Sequence, residues 1–246
     1  MNKNIGILLF LVGVVLMGSL AMAANIANTV QGGTVTKGSN VRASAASVGT
    51  DTAAGGNVTN MNLSTSGITA KWQGYYGNAS LSQLRLGTGA ATNLYSWTTT
   101  ANLKTNILGV FASNDSAFDF SSVSSATTSN YDTALGWQAQ DADTVTNTMI
   151  GGSKTVIAGS FSSTPVANLT HYELGVTSNN AKFSVGVFTD NSGSSSQSDY
   201  ATGVNVSSGP WMSYDNATNV NFELIVPVGG QNPTTGQTYN FWLALK

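Results

Sequence analysis

The chain has 246 residues, of which only 8% are Asp, Glu, Lys or Arg, and its formal net charge at pH 7 is −2. Because so few positive charges are available to neutralise phosphates, nucleic acid is excluded as an expected partner. The chain contains no cysteine, so disulfides cannot stabilise it, and its solubility must rest on Ser, Thr and Asn or on attached sugars.

Residues 1–23 are predicted to be a secretory signal peptide. Lys3 precedes a long apolar run, and Ala21-Met22-Ala23 has the small-residue pattern of a cleavage site. We therefore expect cleavage before Ala24, export by a Sec-type route, and an extracellular or cell-surface location. The alternative is a retained membrane anchor, since the uncharged run from Ile5 to Ala24 is long enough to span a bilayer. The membrane is expected as a partner only through this segment.

Residues 24–47 are predicted to form an extended arm ahead of a single β-sandwich domain over residues 48–246. The arm is rich in Gly and Thr, and its weak alternation sets Ile26, Val30 and Val35 where they could pack as one strand. Few other residues of the arm could anchor a core. The sequence leaves open whether such a strand pairs with its own domain or with that of a neighbouring copy.

The rest of the chain alternates apolar and polar residues with a period of two and shows no sustained 3.6-residue period. We predict an all-β fold, an antiparallel β-sandwich of jelly-roll type that carries the extended N-terminal arm. In chain order the pattern predicts a three-strand meander over 67–100 that turns at Gly77-Asn78, an irregular stretch over 113–132, a strand pair or bulged strand over 149–163, a hairpin over 171–190, and a C-terminal hairpin over 220–246.

Seven acceptors for N-linked glycans follow the N-x-S/T pattern with no proline in the middle position. A chain this rich in Asn, Ser and Thr makes several such patterns by chance, but sugars would also offset the shortage of charge. N-linked glycans are therefore an expected partner at Asn57, Asn62, Asn78, Asn114, Asn168, Asn205 and Asn216.

Catalytic chemistry finds little support in the residue types. His171 is the single histidine, and no serine is marked out as a nucleophile beside it, so a Ser-His-Asp triad is not predicted. A glycosidase needs two paired carboxylates, and the sequence singles out no pair. We expect a protein that is not an enzyme, without catalytic or cofactor-binding residues.

Asp141-Ala-Asp143 is the one acidic cluster with the pattern of a metal site, since alternating oxygens on a loop can wrap Ca²⁺. The two-acid spacing is a weak signal and the full calcium-loop pattern is absent. We therefore expect a solvated loop and no resident metal or cofactor, with Ca²⁺ as the alternative. Glu223, in the middle of a strand, is expected to face water, because a buried acid would need a partner.

One aromatic segment resembles a pattern that recurs in secreted archaeal surface proteins. It consists of a Trp-x-Gly-aromatic-Tyr-Gly-Asn turn followed at a distance by Leu-Tyr-x-Trp. The resemblance covers about 30 residues and implies location more than activity. Trp72 and Trp97 within it are expected to pack in the core rather than to bind a glycan. The matching residues are Trp72, Gly74, Tyr75, Tyr76, Gly77, Asn78, Leu94, Tyr95 and Trp97.

The overall plan also resembles the subunits of archaeal bundling pili and threads and of TasA-like bacterial matrix fibres. The signal peptide, the leading arm and the Ser/Thr/Asn-rich β-sandwich carry this resemblance. It implies polymerisation by donor-strand complementation, in which the arm of one subunit completes the sheet of its neighbour. The partner would then be a second copy of the chain, with Ile26, Val30 and Val35 as donor residues.

These observations favour a structural subunit of an extracellular filament (a pilus or thread) or of a surface layer. Charged residues or proline normally protect sheet edges against pairing with another chain. The chain has only nine Lys and Arg and four Pro, so its edges suit pairing with a strand of a neighbouring subunit. The alternative is a secreted adhesin that binds glycans or another surface through Trp97, Trp211 or Trp242, if those rings line a groove. A third hypothesis, a hydrolase, requires a cleft with paired acids of raised pKa.

Overall fold

The strands and helices come from a computed structural model. It describes residues 30–40, 42, 50, 52–62, 67–81, 83–89, 92–98, 107–156, 161–168, 183–190, 196–207, 211–215, 217–229 and 236–245. Within these residues every strand pairing is antiparallel and the helices are short. The predicted all-β antiparallel sandwich is therefore confirmed.

One large sheet forms the body of the molecule. From one edge of this sheet to the other, the strands are β1 (Val30–Gly32), β14 (Asn240–Leu245), β5 (Ile107–Ser113), β10 (Tyr200–Asn205), β9 (Ser184–Thr189), β8 (Phe161–Asn168) and β7 (Ser153–Val156). A very short strand, β6 (Ser124–Ser125), also pairs with β9.

The remaining elements form three two-stranded ribbons and three short helices. The helices are α1 (Thr128–Leu135), α2 (Val145–Thr148) and a 3-10 turn (Gln197–Asp199). The ribbons pair β2 (Trp72–Gly77) with β13 (Phe222–Pro227), β3 (Gln83–Gly89) with β4 (Thr92–Thr98), and β11 (Trp211–Met212) with β12 (Asn219–Val220).

The β2–β13 ribbon covers one face of the large sheet. Leu224 of β13 is fully buried with Val110 and Val204 of the sheet. Tyr75 of β2 meets Phe241 of β14 edge to face, with ring centroids 5.1 Å apart. Burying a side chain of this size contributes about 2 kcal/mol, so this contact layer is a main source of stability.

Helices α1 and α2 cover the same face beside the ribbon. Tyr131 and Leu135, one turn apart on α1, are buried, and Tyr131 stacks on Tyr200 of β10 with ring centroids 4.2 Å apart. The helix ends at Gly136, which has a φ of 70°, a left-handed conformation that glycine adopts without strain. The Gly136 N–H donates to Thr133 O. The prediction of an irregular stretch over 113–132 is wrong where α1 begins, because so short a helix has too few apolar positions to show a period.

The opposite face of the sheet is covered by an irregular segment, residues 114–123. Its Phe118 and Phe120 are buried against Phe111 and Phe188 of the sheet. The rings of Phe111 and Phe188 lie 5.4 Å apart, and those of Phe111 and Phe120 lie 5.2 Å apart. The sheet is thus buried on both faces, which explains why its central strands contain few polar residues.

Two of the predicted pairings are wrong, although the strands themselves exist. The C-terminal strands do not form a hairpin: β13 pairs with β2, whereas β14 lies in the large sheet between β1 and β5. Likewise β3 and β4 form a hairpin, but β2 leaves the expected meander to join β13. Between β13 and β14 the chain crosses from one layer of the sandwich to the other, and alternation alone shows neither that crossing nor the partner of β2.

Two further predictions concern the middle of the chain. The strand pair expected over 149–163 is confirmed as β7 with β8. The second strand of the expected 171–190 hairpin is β9, which pairs with β8 and β10. The first strand of that hairpin lies outside the described residues.

Candidate assembly edge and ligand groove

The N-terminal arm reaches the body of the protein through β1, a strand of three residues at the edge of the large sheet. Val30, Gln31 and Gly32 lie opposite Ala244, Leu243 and Trp242 of β14. The ladder ends where the Gly33 N–H donates to Phe241 O at 3.0 Å. This short ladder joins the earliest described residues of the chain to the last strand.

Strand β14 has the composition of an interior strand. Its sequence from Asn240 to Leu245 contains neither a charged residue nor a proline. Trp242 packs on one face against Phe120, at 5.3 Å between centroids, and Leu243 packs on the other against the ribbon layer. A strand of this kind at an open edge would be unguarded against pairing with another chain, and β1 is what covers it.

The described residues of the connection from β1 to β2 are mostly exposed, although residues 37–40 line a groove on the body and Thr69 hydrogen-bonds to Asp143. Its described residues from Gly33 to Ala70 form no helix or strand, and all except Gly33 are exposed. Val58 is fully exposed, and Met61 and Val35 are more than half exposed. Long connections without secondary structure are uncommon inside compact domains and are usually functional segments or linkers.

The three predicted donor residues occupy different environments. Val30 is half-buried in β1, packed against the cluster around Phe111. Val35 is 59% exposed and follows the end of the ladder. Ile26 lies outside the described residues. Of the three, the structure places one in a strand pairing.

A cavity of about 390 Å³ continues the line of β1 beyond its last residue. Gly33 and Val35 border it on one side, and Asn240 and Phe241 of β14 border it on the other, with Ser116 nearby. The first part of β14 therefore has space beside it that the described residues of the arm do not fill.

The predicted glycan acceptors are not equally accessible. Asn57, Asn62 and Asn78 are exposed, whereas Asn114 and Asn205 are half-buried. The Asn78 side-chain amide donates to Asn219 O at 3.0 Å. The side chain of Asn168 and the whole of Asn216 lie outside the described residues.

Lys71 occupies the acidic cluster that the sequence offered as a calcium site. Its Nζ lies 2.6 Å from Asp141 Oδ2 and 3.0 Å from Asp143 Oδ1. The hydrogen bond from Lys71 holds the pKa of Asp141 below its usual value. Thr69 Oγ1 also donates to Asp143 Oδ2, at 2.7 Å. The two carboxylates thus hold the start of β2, and an ammonium group stands where the alternative hypothesis placed Ca²⁺.

Asp132 is a structural acid that the sequence did not single out. It is buried on α1, and its two carboxylate oxygens accept from the N–H groups of Val145 at 2.6 Å and Thr146 at 3.1 Å. These are the first N–H groups of α2, which have no partner within that helix. The thirteen-residue separation gives no sequence signal, because the pairing depends on how the two helices meet.

Trp211 and Trp242, which the alternative adhesin hypothesis named, do not form one surface. Trp211 and Trp242 are both half-buried, Trp211 against the ribbon layer and Trp242 on the opposite side of the sheet. The side chain of Trp97 lies outside the described residues. Trp72 is half-buried beside Trp137, with ring centroids 5.6 Å apart, so its expected packing role is confirmed.

A groove with a volume of about 810 Å³ lies along the β2–β13 ribbon. Residues 37–40 of the arm form one wall, and Tyr76 and Tyr214 form another part of the lining. Glu223 also lines the groove but is only 4% exposed. The expectation that Glu223 faces water is therefore wrong.

The carboxylate of Glu223 is held at one oxygen. Its Oε1 accepts from the Tyr214 N–H at 2.7 Å. Burial raises the pKa of Glu223 to about 7, and the negative charge of Asp215 adds to that rise while the bond from Tyr214 opposes it. Ser213 donates to Asp215 and holds the pKa of Asp215 below its usual value. The two acids therefore do not form a pair with raised pKa values.

Comparison of the chain with protein-family models, with curated proteins and with solved structures finds no match. Among the described residues, no helix is long and apolar enough to cross a membrane. Within the same residues, no group of three or more His, Asp or Glu side chains lies close enough to hold a metal ion. His171 lies outside them.

Proposed function

We propose that this chain is a structural subunit of an extracellular filament or cell-surface layer, in which β1 of one subunit pairs with β14 of the next. The observation that carries the proposal is the pairing of β1 with β14. The three-residue strand β1 covers the uncharged, proline-free edge of β14, and a connection whose described residues are mostly exposed joins β1 to the rest of the chain.

The capping strand is poorly anchored in its own subunit. Besides the ladder to β14, its main apolar contact is the half-buried Val30. A ladder of this length holds few hydrogen bonds, each worth about 1 kcal/mol net. Moving β1 to the same position on another copy would exchange identical contacts, which makes domain swapping a low-cost route to association.

The connection is long enough for such an exchange. Fully stretched, residues 33–71 could reach roughly 130 Å, several times the radius of gyration of about 16 Å expected for a domain of this size. Whether β1 pairs within its own subunit or with a neighbour then depends on local concentration and on additional contacts between subunits. The unfilled cavity beside Asn240 and Phe241 is one place where a longer donor strand would gain contacts.

Export and glycosylation complete the proposal. The predicted signal peptide over residues 1–23 would deliver the chain to the cell exterior, and the low charge of the chain favours sugars as a source of solubility. Asn57 and Asn62 are exposed on the connection, and Asn78 is exposed just after β2. We propose these three as the first sites to be glycosylated, since an acceptor must be accessible.

The absence of cysteine allows a direct test of strand exchange. Gln31 and Leu243 are opposed in the β1–β14 ladder, at a spacing that a disulfide can bridge. Chains with Gln31→Cys alone are mixed with chains carrying Leu243→Cys alone, dissociated, reassembled and oxidised. Exchange predicts a disulfide-linked dimer of the two variants on a non-reducing gel, together with fibres or sheets in electron micrographs.

In the control, chains with Thr36→Cys are mixed with chains carrying Leu243→Cys. Thr36 lies on the same arm but beyond the ladder, where it is exposed. This mixture should give no mixed dimer. The doubly substituted chain, Gln31→Cys with Leu243→Cys, reports pairing within one subunit. If that chain forms only an internal disulfide and the mixture of single variants yields no mixed dimer, the proposal is wrong.

A further inference from the structure

The groove along the β2–β13 ribbon has the features of a ligand site. It is open and about 810 Å³ in volume, within the range of small-molecule and cofactor sites. It lies along the ribbon, and residues 37–40 of the arm add one wall. Exchange of β1 between subunits would move that wall, whereas Tyr76, Tyr214 and Glu223 belong to the body, so the argument for a ligand rests on these three residues.

Two tyrosines present their rings at the groove. Tyr76 of β2 is 45% exposed and Tyr214 is 51% exposed. Their rings meet edge to face, with centroids 5.3 Å apart. This contact holds each ring in a fixed orientation while leaving much of its surface open, as a platform for stacking requires.

A buried carboxylate lies beside the two rings. Glu223 sits directly across the ladder from Tyr76 and is 96% buried, and the Tyr214 N–H holds its Oε1. Its other oxygen, Oε2, accepts no hydrogen bond from the described residues, and it is not shut off from the solvent in the groove. A hydroxyl donor of a ligand could therefore take the place of water at Oε2.

The remaining polar lining consists mainly of neutral side chains. Gln73 and Thr69 line the groove near Trp72, and Asn40 lines it from the arm. Aromatic faces, amide and hydroxyl groups and one oriented carboxylate together match a ligand with apolar C–H faces and many hydroxyls. We propose that this groove binds a neutral oligosaccharide, with Tyr76 and Tyr214 stacking on sugar rings and Glu223 Oε2 accepting from a hydroxyl.

The charges of the groove favour a neutral sugar over an acidic sugar, and its length favours a sugar over a compact cation. An acidic sugar would bring its carboxylate towards Glu223 and Asp215, and like charges repel strongly in a partly buried site. Lys37 and Arg42 lie on the outer wall, where both residues are exposed. A compact cation would satisfy Glu223 but would leave most of the long groove empty.

The test measures binding of cellohexaose, chitohexaose and mannohexaose to the full mature chain by calorimetry, with hexagalacturonate as the acidic probe. We expect at least one neutral hexasaccharide to bind and the acidic one not to bind. Tyr76→Ala and Tyr214→Ala should each weaken binding roughly tenfold, as truncation of an aromatic anchor does. Both residues are exposed, so the variants should remain folded.

Tyr95→Ala is the matched control, because Tyr95 is an equally exposed tyrosine on the β3–β4 hairpin outside the groove. It should bind as the unmodified chain does. Binding of no neutral hexasaccharide, binding of hexagalacturonate alone, or equal weakening by Tyr95→Ala would overturn the proposal.

A pH series identifies the contact made by Glu223. An ionised carboxylate is the stronger acceptor, so binding should strengthen as pH rises through about 7. Tyr214, Asp215 and Tyr76 are the titratable groups that face Glu223, and Lys37 and Arg42 stand on the rim. Glu223→Gln should remove this pH dependence. A pH profile that Glu223→Gln leaves unchanged would contradict the assigned contact.

The source of the sugar is decided by a second comparison. Glycosylated chains and a variant with Asn57→Gln, Asn62→Gln and Asn78→Gln are titrated with the same hexasaccharide. If a glycan of a neighbouring copy occupies the groove, the glycosylated chain binds the probe more weakly than the variant. If the ligand is an external polysaccharide, the two bind equally.

Discussion

The body of the protein and its N-terminal segment have opposite physical properties although one chain makes both. The body has three buried clusters on the two faces of one sheet, with large side chains such as Phe111 and Leu224 fully inaccessible. In the segment from Gly33 to Ala70, the described residues beyond Gly33 are exposed and apolar residues such as Val58 contact little. The difference teaches that the contacts that stabilise the fold lie in the body, whereas the segment proposed to exchange between subunits lies largely outside them.

The largest effect is expected in the body. Phe111 packs in one cluster with Phe118, Phe120 and Phe188, so Phe111→Ala would leave a cavity among these three rings. We expect a loss of about 3–5 kcal/mol in the free energy of unfolding, measured by urea denaturation. Val58→Ala in the exposed segment should change it by less than about 0.5 kcal/mol. Equal effects of the two substitutions would remove the contrast between the two regions.

A smaller effect is expected where the body depends on a polar contact. Asp132→Ala removes the acceptor of the two N–H groups that begin α2 and should cost roughly 2 kcal/mol. Asp132→Asn keeps one acceptor oxygen and should cost less. Thr133→Ala, at an exposed neighbouring position of α1, is the control and should be close to neutral in the same denaturation experiment.

The smallest effect is expected at Glu223, where the arm overlies the body. Its pKa is raised from 4.5 to about 7 in the folded state, so the folded state holds the proton more tightly than the unfolded state. This contribution is fully present below pH 4.5 and is lost as the pH rises through about 7.

Glu223→Gln should therefore match the unmodified chain in acid and exceed its stability above pH 7. Allowing for solvent screening in the groove, we expect a gain on the order of 1–2 kcal/mol, seen in melting curves at pH 4 and pH 8. Asp215, Tyr76 and Tyr214 face this carboxyl group and are left intact. A difference that stays constant between the two pH values would show that the proton is not involved.

Strands β13, β14 and β9 were predictable because they fall within the segments that alternation of apolar residues marked. Their partners were not predictable, because β13 and β14 are adjacent in the chain but lie in different layers of the sandwich. Alternation identifies which face of a strand is apolar, but not which other strand meets it. Helix α1 was missed because it is too short to display its own period.

The groove shows the same limit more clearly. Tyr76 lies far in the sequence from Tyr214 and Glu223, and Glu223 looked like a solvated acid on an open face. It is buried in the structure, and the Tyr214 N–H donates to its carboxylate. The tryptophans that did attract attention, Trp211 and Trp242, are half-buried and lie on opposite sides of the sheet.

The pairing of β1 with β14 has a directional consequence if it occurs between subunits. The two surfaces that meet are different, so the contact is head-to-tail and repeats without closing unless the rotation between subunits forms a ring. The two ends of every open filament would then differ: at one end the edge of β14 would be unpaired, and at the other end β1 would be unpaired. Growth and capping at the two tips would be chemically distinct events, and a monomer folded back on itself could add at neither.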